Sequence, residues 1–474
     1  MRNHTCVFLA ITLVVACLIV ACLIVAGCVQ PGGQDTTVPA PTPLPVPQKG
    51  ANVTMKEIIP YVNSAAAFAR EQRKEQALVV FNDPNSSFNQ GALYIFSEGM
   101  DGTALAEPFE HEIVGTSILN FTDPYGIPLV KNLIDTARQG KGLVSYQYRN
   151  PSRNYTVEPK VSYVVNIDGT YYVGAGYYEH PGTVFPAAGL KKDPRNFTAE
   201  ELVSFVEGAA SFARKNGKAQ AVQLFMNTSG PFVRDELYII AYDSNATNLA
   251  HPYSPGIWNL SLKHYTDEDA VAIIAELTDV ARRGGGFAHT TRQIPVGGHV
   301  IYAPKLQYVV PVDDTWWVSA SILNPDFAGL RVGNLTGTRI RNHTQEELYT
   351  LVDEAVMYAR VNGKERTLGE INNPGGRFVK GDLFVWAEGF NGTILADPFF
   401  TEGVGKNYLN YTDAYGEKTT LVGISATHNG TGFVHCMFPD TSSGSPVPVP
   451  KLVFSQAVDD SWWIGGGIYG VRVR

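Results

Sequence analysis

Apolar residues fall at helical spacing three times along this chain, and each stripe follows the same polar signature. Ile58, Tyr61, Ala65, Phe68 and Ala69 recur every three or four positions, which predicts one buried face on a long helix. The stripe runs through AAAFAR at Ala65 to Arg70 and returns as AASFAR at Ala209 to Arg214 and AVMYAR at Ala355 to Arg360. Ahead of each stand Thr54 and Glu57, Thr198 and Glu201, or Thr344 and Glu347, with the spacing of a capping box. Asn216-Gly217 and Asn362-Gly363 then break the helix, and a short second helix follows up to Phe81, Phe225 or Ile371. Strand-like runs take over at Leu93 to Phe96, Leu237 to Ile240 and Leu383 to Trp386. A turn at Asp101-Gly102, Asn245-Ala246 or Asn391-Gly392 leads into a second strand ending at Glu107-Pro108, His251-Pro252 or Asp397-Pro398.

The middle of each copy predicts loops and a helix, over 129–138 in the first and 269–283 in the second. In the third, Gly423, Asn429 and Gly430 interrupt that helix. A glycine-marked strand begins near Gly142, Gly286 or Gly432. Two strands joined by a tight acidic turn close each copy: they start at Lys160, Lys305 or Lys451 and turn at Asp168-Gly169, Asp313-Asp314 or Asp459-Asp460. The same order of elements thus returns at roughly 145-residue intervals, the mark of tandem duplication. The expected organisation is an α+β fold three times over, at 51–190, 191–335 and 336–474.

Residues 1–28 differ from all of this. From Cys6 to Val29 the chain is almost unbroken Val, Leu, Ile, Ala and Cys, longer than an ordinary signal h-region and near the ~20 residues of a membrane span. Val25-Ala26-Gly27-Cys28 resembles a lipobox, in which Cys28 would be lipidated. A cleaved lipoprotein signal and an uncleaved span both remain open, and both tether the chain to the outer face of the cytoplasmic membrane. Residues 29–50 are rich in Pro and Thr and read as an extended spacer.

Composition narrows the function further. A net charge of -8 excludes the clustered cations of a nucleic-acid binder. Only Cys436 lies outside the N-terminal stretch, so no intradomain disulfide or CxxC metal site is expected. Sequons at Asn85, Asn120, Asn154, Asn227, Asn245, Asn259, Asn391, Asn410 and Asn429 suit a glycosylated outer surface, although Asn and Thr are also common turn residues. No nucleophile elbow, P-loop or HExxH motif occurs, so neither an enzyme nor a cofactor is expected. Cys436, in a strand-like stretch, reads as a buried inert thiol.

The helix ending in FAR-x-NGK, the LYI/LFV strand, His251-Pro252, the PKLxYV-type strand and the WWV ending together resemble the single Cache domain, an extracytoplasmic relative of the PAS fold. The resemblance covers 51–474 in three tandem PAS-like copies, each a long N-terminal helix plus a five-stranded antiparallel sheet. It implies a small-solute pocket on the sheet's concave face. In the second copy the expected ligand-binding residues are Tyr238, Tyr242, His251, Tyr253, Lys305, Tyr308 and Trp317, with Lys305 neutralising a carboxylate. The corresponding residues elsewhere are Tyr94, Lys160 and Tyr163 in the first copy and Lys451 in the third. Glu107 and Asp397 replace His251, so the three pockets should differ. The expected function is sensing or binding a small organic acid or amino-acid-like molecule. No output domain follows Arg474, so the signal would pass through a partner protein that the sequence does not identify. The rival reading is an envelope or adhesion stalk.

Overall fold

A computed structural model describes residues 53–90, 93–178, 197–234, 236–267, 271–296, 299–323, 343–427, 431–444 and 448–469, with side chains described outside 292–304, 323 and 443. The apolar N-terminal run, Cys28, the Pro-rich spacer and both interdomain connectors lie outside these residues. Among the described residues no helix is long and apolar enough to cross a membrane.

Each domain begins with its capped helix: Met55–Glu71, Ala199–Asn216 and Gln345–Asn362. Both halves of the capping box form. The Glu201 backbone N–H donates to the Thr198 hydroxyl at 3.2 Å, and the Thr198 N–H donates back to the Glu201 carboxylate at 3.0 Å. Thr344 and Glu347 do the same at 3.2 and 2.9 Å. The helix buries its predicted stripe on one face of an antiparallel sheet. In the third domain that core includes Leu348, Val352, Ala355, Leu452, Phe454 and Ile464. Because strand side chains alternate between faces, Lys451 and Val453 between them point the other way, under a second helix, Thr419–Thr427. Each sheet therefore has two buried faces.

That second helix corrects an expectation. Despite Gly423, Thr419–Thr427 is helical. A Cβ at Gly423 would stand 3.1 Å from the Trp463 indole, so the glycine permits close helix–sheet approach rather than breaking the helix. The acidic turns behave as expected: Asp168, Asp313 and Asp459 accept from the backbone N–H two residues on, at 2.8, 2.7 and 2.7 Å.

Each domain supplies the five expected strands, and two of the three sheets gain a sixth. The second domain has five, Asn248–Ala250, Ile240–Asp243, Trp316–Leu323, His299–Asp313 and Gly286–Val296 in spatial order. The first domain's sheet has six, and its outermost strand is borrowed: Ser261–His264 of the second domain lies parallel to Lys141–Asn150. Gly142 makes room, since a Cβ there would collide with the Ser261 carbonyl. The third sheet also has six strands, through the two-residue strand Val379–Lys380.

All three domains touch one another. Asp135 of the first accepts from Lys263 at 2.9 Å and pairs with His264 at 2.7 Å, both of the second. Tyr125 of the first enters the third domain's core, its hydroxyl donating to Glu346 at 3.1 Å and its ring 5.9 Å from Phe433. Val271 of the second is buried in that same core, while Tyr415 of the third packs on the core of the second.

Candidate functional site

A cavity of about 70 Å³, partly open to solvent, lies between the third domain's sheet and its covering helix and loops. Trp386, Phe400, Val434, Val453 and Trp463 form apolar walls, and Lys451, Asp397, Glu388 and Cys436 supply the chemistry. Lys451 is 5% exposed, its Nζ 4.2 Å from the Trp386 ring centre and 4.7 Å from that of Tyr469. Burial pulls its pKa down, but Tyr469, Cys436 and Asp397 more than offset this, so the ammonium titrates above its usual range. Asp397 replaces the second domain's histidine. Its Oδ1 accepts from the backbone N–H groups of Phe399 and Phe400 at 2.9 and 2.8 Å. Burial still leaves its carboxyl above the ordinary range, against those bonds and Lys451. Glu388 is pushed up to about 8 by burial, although Trp386 Nε1 donates to it at 3.1 Å. Its other oxygen and the Trp463 indole N–H are buried without partners. The Cys436 thiol is pushed up to about 12, chiefly by burial, which makes it inert at neutral pH. The cavity lining thus holds a cation and a carboxylate that act on each other, with the unpartnered Trp463 indole N–H as a further donor.

In the first domain the equivalent lysine is surrounded by its own domain's aromatic side chains. Lys160 is 1% exposed, donates to the Tyr94 hydroxyl at 2.9 Å, and lies 4.4 to 5.1 Å from the rings of Tyr94, Tyr148 and Tyr178. Tyr146 is bonded to Ser162 at 2.6 Å, Tyr148 donates to Glu110 at 3.1 Å, and Tyr172 donates to Glu98. Burial raises the Glu107 carboxyl and lowers the Lys160 ammonium, each opposing the other. Here the lysine completes an internal network.

In the second domain Tyr238 stands at the centre of a ring cluster, 5.4 Å from His251 and 5.0 Å from Tyr253, while Tyr242 stacks on Trp317 at 5.1 Å. His251 is pushed down to about 4 by burial and then by Lys305, so its imidazole is neutral. His251 occupies the position of Asp397, so the described residues of this site offer Lys305, tyrosine hydroxyls, a neutral imidazole and the Trp317 indole N–H.

Of the expected residues, Tyr238, Tyr242, His251, Lys305 and Trp317 share one side of the second sheet, and Tyr253, 37% exposed, stands at its edge. Lys160, Tyr94 and Lys451 occupy the corresponding places. Tyr163 and Tyr308 do not. The Tyr163 hydroxyl donates to Asn63 at 3.2 Å and that of Tyr308 to Glu207 at 3.2 Å, both on the long helices. Each tyrosine is three residues from its lysine, and an odd offset along a strand lands on the opposite face. Sequence reasoning also left out Trp386, Glu388 and Trp463, although their places in the repeat match Ile240, Tyr242 and Trp317.

The chain matches the family model of "Single Cache domain 2" at residues 55–180, 208–323 and 344–471. The sensor histidine kinase MctS of Rhizobium johnstonii is 35% identical over 86 residues, 18% of this chain and 18% of that protein, so the chain spans under a fifth of the relative. Among solved structures, a methyl-accepting chemotaxis protein from Vibrio parahaemolyticus is 25% identical, covering 27% of this chain and 88% of its own, with TM-score 0.23. The ligand-binding domain of the Pseudomonas fluorescens chemoreceptor CtaA, in complex with L-isoleucine, is 14% identical, covering 57% and 86%, with TM-score 0.19. Three matches that together span more than half of the sequence settle its family: the chain belongs to the single Cache domain 2 family, whose extracytoplasmic sensory module it carries three times.

Proposed function

We propose that this is a surface-tethered sensor whose third domain binds a small amino-acid-like zwitterion or organic acid. The carrying observation is that buried Lys451 and Asp397 line the same cavity and act on each other electrostatically. A carboxylate placed at Lys451 gains a charge-assisted bond in a low-dielectric setting, and an ammonium placed at Asp397 gains another. The Trp463 N–H adds a donor, while Trp386 and Phe400 receive an apolar side chain. The second domain, with Lys305 near a neutral His251 at the position of Asp397, suits a simple carboxylate. The first domain, its lysine enclosed by tyrosines, acts as scaffold, which keeps the stalk reading alive for that copy alone. The N-terminal apolar run serves as tether, and the signal leaves through a partner protein.

Calorimetric titration of the full chain with short carboxylates, amino acids and matched amines tests this. Saturable binding of amino acids that Lys451→Met abolishes and Asp397→Asn weakens at least tenfold is the expected result. Asp397→Asn that weakens amino acids but leaves carboxylates unchanged would assign the ammonium subsite. Binding unaltered by Lys451→Met, or no binding to well-folded protein, would overturn the proposal.

A further inference from the structure

The contact between the second and third domains buries more acid than either sheet needs. His289, 2% exposed, projects from Gly286–Val296 of the second domain toward the loop that precedes Thr419–Thr427 in the third. That loop presents Asp413 and Glu417, 8% and 2% exposed. His289 Nε2 lies 2.6 Å from Asp413 Oδ2 and 3.1 Å from Glu417 Oε2, and the three potential ligand atoms all fall within 4.8 Å of one another.

The two carboxylates are held differently. Asp413 Oδ1 accepts from the backbone N–H groups of Tyr415 and Glu417 at 2.9 and 3.0 Å, which turns Oδ2 toward the second domain. Such backbone bonds orient a ligand before an ion arrives. Glu417 has no equivalent support. The His289 backbone N–H lies near it, yet neither carboxylate oxygen reaches hydrogen-bond geometry. Glu276, from the second domain's helix Ile273–Arg282, adds two more buried oxygens without partners, and its charge acts on Glu417. The neighbouring cation, Arg283, is paired with Asp279.

Comparison between copies isolates what is unusual. Asp123, Asp267 and Asp413 are equivalent, and each accepts from the backbone four residues on. The residues at that fourth position are Ile127, Val271 and Glu417. Ile127 and Val271 both pack into the third domain's apolar core, so an apolar side chain satisfies this loop. A reciprocal histidine–aspartate contact even exists, His435 of the third domain lying 3.2 Å from Asp267 of the second, and there Val271 stands in place of the glutamate. Burying a carboxylate where the sister copies bury an apolar side chain costs free energy that a bound cation would offset. One imidazole and two carboxylates are a ligand set for zinc or a similar divalent transition ion. Ligand atoms around tetrahedral zinc stand about 3.3 Å apart, so the 3.1 Å contact already fits and the 2.6 Å contact would open by roughly 0.7 Å.

We propose that His289, Asp413 and Glu417 bind one divalent transition-metal ion of the zinc type, which clamps the second domain to the third. The site is separate from the Lys451 cavity and stands whether or not that cavity binds a solute. The test uses the full chain without an affinity tag, stripped with chelator, titrated with Zn2+ and desalted before elemental analysis. One ion retained per chain, a raised melting temperature, and loss of both in Glu417→Val and His289→Ala are expected, with His435→Ala retaining the ion. Glu417→Gln, nearly isosteric, guards against a folding artefact, and Co2+ substitution should give visible d–d bands that this variant lacks. Wild-type protein that keeps no ion, or Glu417→Val that keeps as much as wild type, would overturn the proposal.

Discussion

Glu388 offers a sharp pH test of the third-domain cavity. The carboxyl is 8% exposed, bonded through one oxygen to Trp386 and unpartnered at the other. Burial lifts its pKa from 4.5 to about 8. A raised carboxyl pKa means that the folded chain holds its proton more tightly than the unfolded chain does. The associated stability is therefore complete below pH 4.5 and is lost as pH climbs through about 8. At 1.36 kcal/mol for each tenfold change, the loss reaches roughly 5 kcal/mol above both values. That is a large share of the ~5–15 kcal/mol that holds a typical domain together. Glu388→Gln keeps the shape and the Trp386 bond but cannot ionise. Calorimetric unfolding of the full chain between pH 5 and pH 9 should show the two proteins nearly equal at pH 5. The variant should then gain on wild type steadily toward pH 8.5. Parallel curves, or a variant less stable at every pH, would refute the assignment of a neutral carboxylic acid to this cavity.

Two further outcomes follow from the packing. Gly423→Val places branched carbon against the Trp463 indole, 3.1 Å from where Cβ must sit, and should cost about 1–3 kcal/mol in chemical denaturation while weakening ligand binding; unchanged stability would mean that the helix stands farther from the sheet. Tyr125→Ala removes a first-domain ring from the third domain's core and should cost about 2–4 kcal/mol, with the melting endotherm splitting as the first domain unfolds separately; one sharp transition at the wild-type temperature would refute the contact.

Local order was readable from the chain because it is written in short-range chemistry. A threonine followed three residues later by glutamate caps a helix wherever it occurs, and Asp168, Asp313 and Asp459 close their turns by bonding two residues onward. The three equivalent lysines were also readable, but not their roles. Lys160 and Lys451 sit at matching places in equivalent strands, yet the first is enclosed by Tyr94, Tyr148 and Tyr178 while the second lines a cavity. The difference lies in residues far off in sequence: Tyr148 is matched by Phe438, and Tyr94 by Phe384. The borrowed strand Ser261–His264 was invisible for the same reason, since its partner belongs to another domain. Glu417 did leave a trace, as an acid where two sister copies carry Ile127 and Val271, though only the folded chain brings it to His289.

The strand Thr431–Pro439 joins these features physically. Its alternate residues face opposite sides: Val434 and Cys436 line the cavity, while Phe433 meets Tyr125 of the first domain and His435 meets Asp267 of the second. A ligand that shifts this strand by a fraction of an ångström must therefore disturb both contacts, because close-packed interiors pass displacement on rather than absorbing it. The coupling is reciprocal, so a change at Tyr125 must alter affinity at the cavity by the same free energy. Titrating Tyr125→Ala with a ligand found for wild type reads that quantity directly, as a ratio of dissociation constants. A ratio of one, in a variant already shown to be destabilised, would mean that the strand holds the domains together without carrying a signal between them.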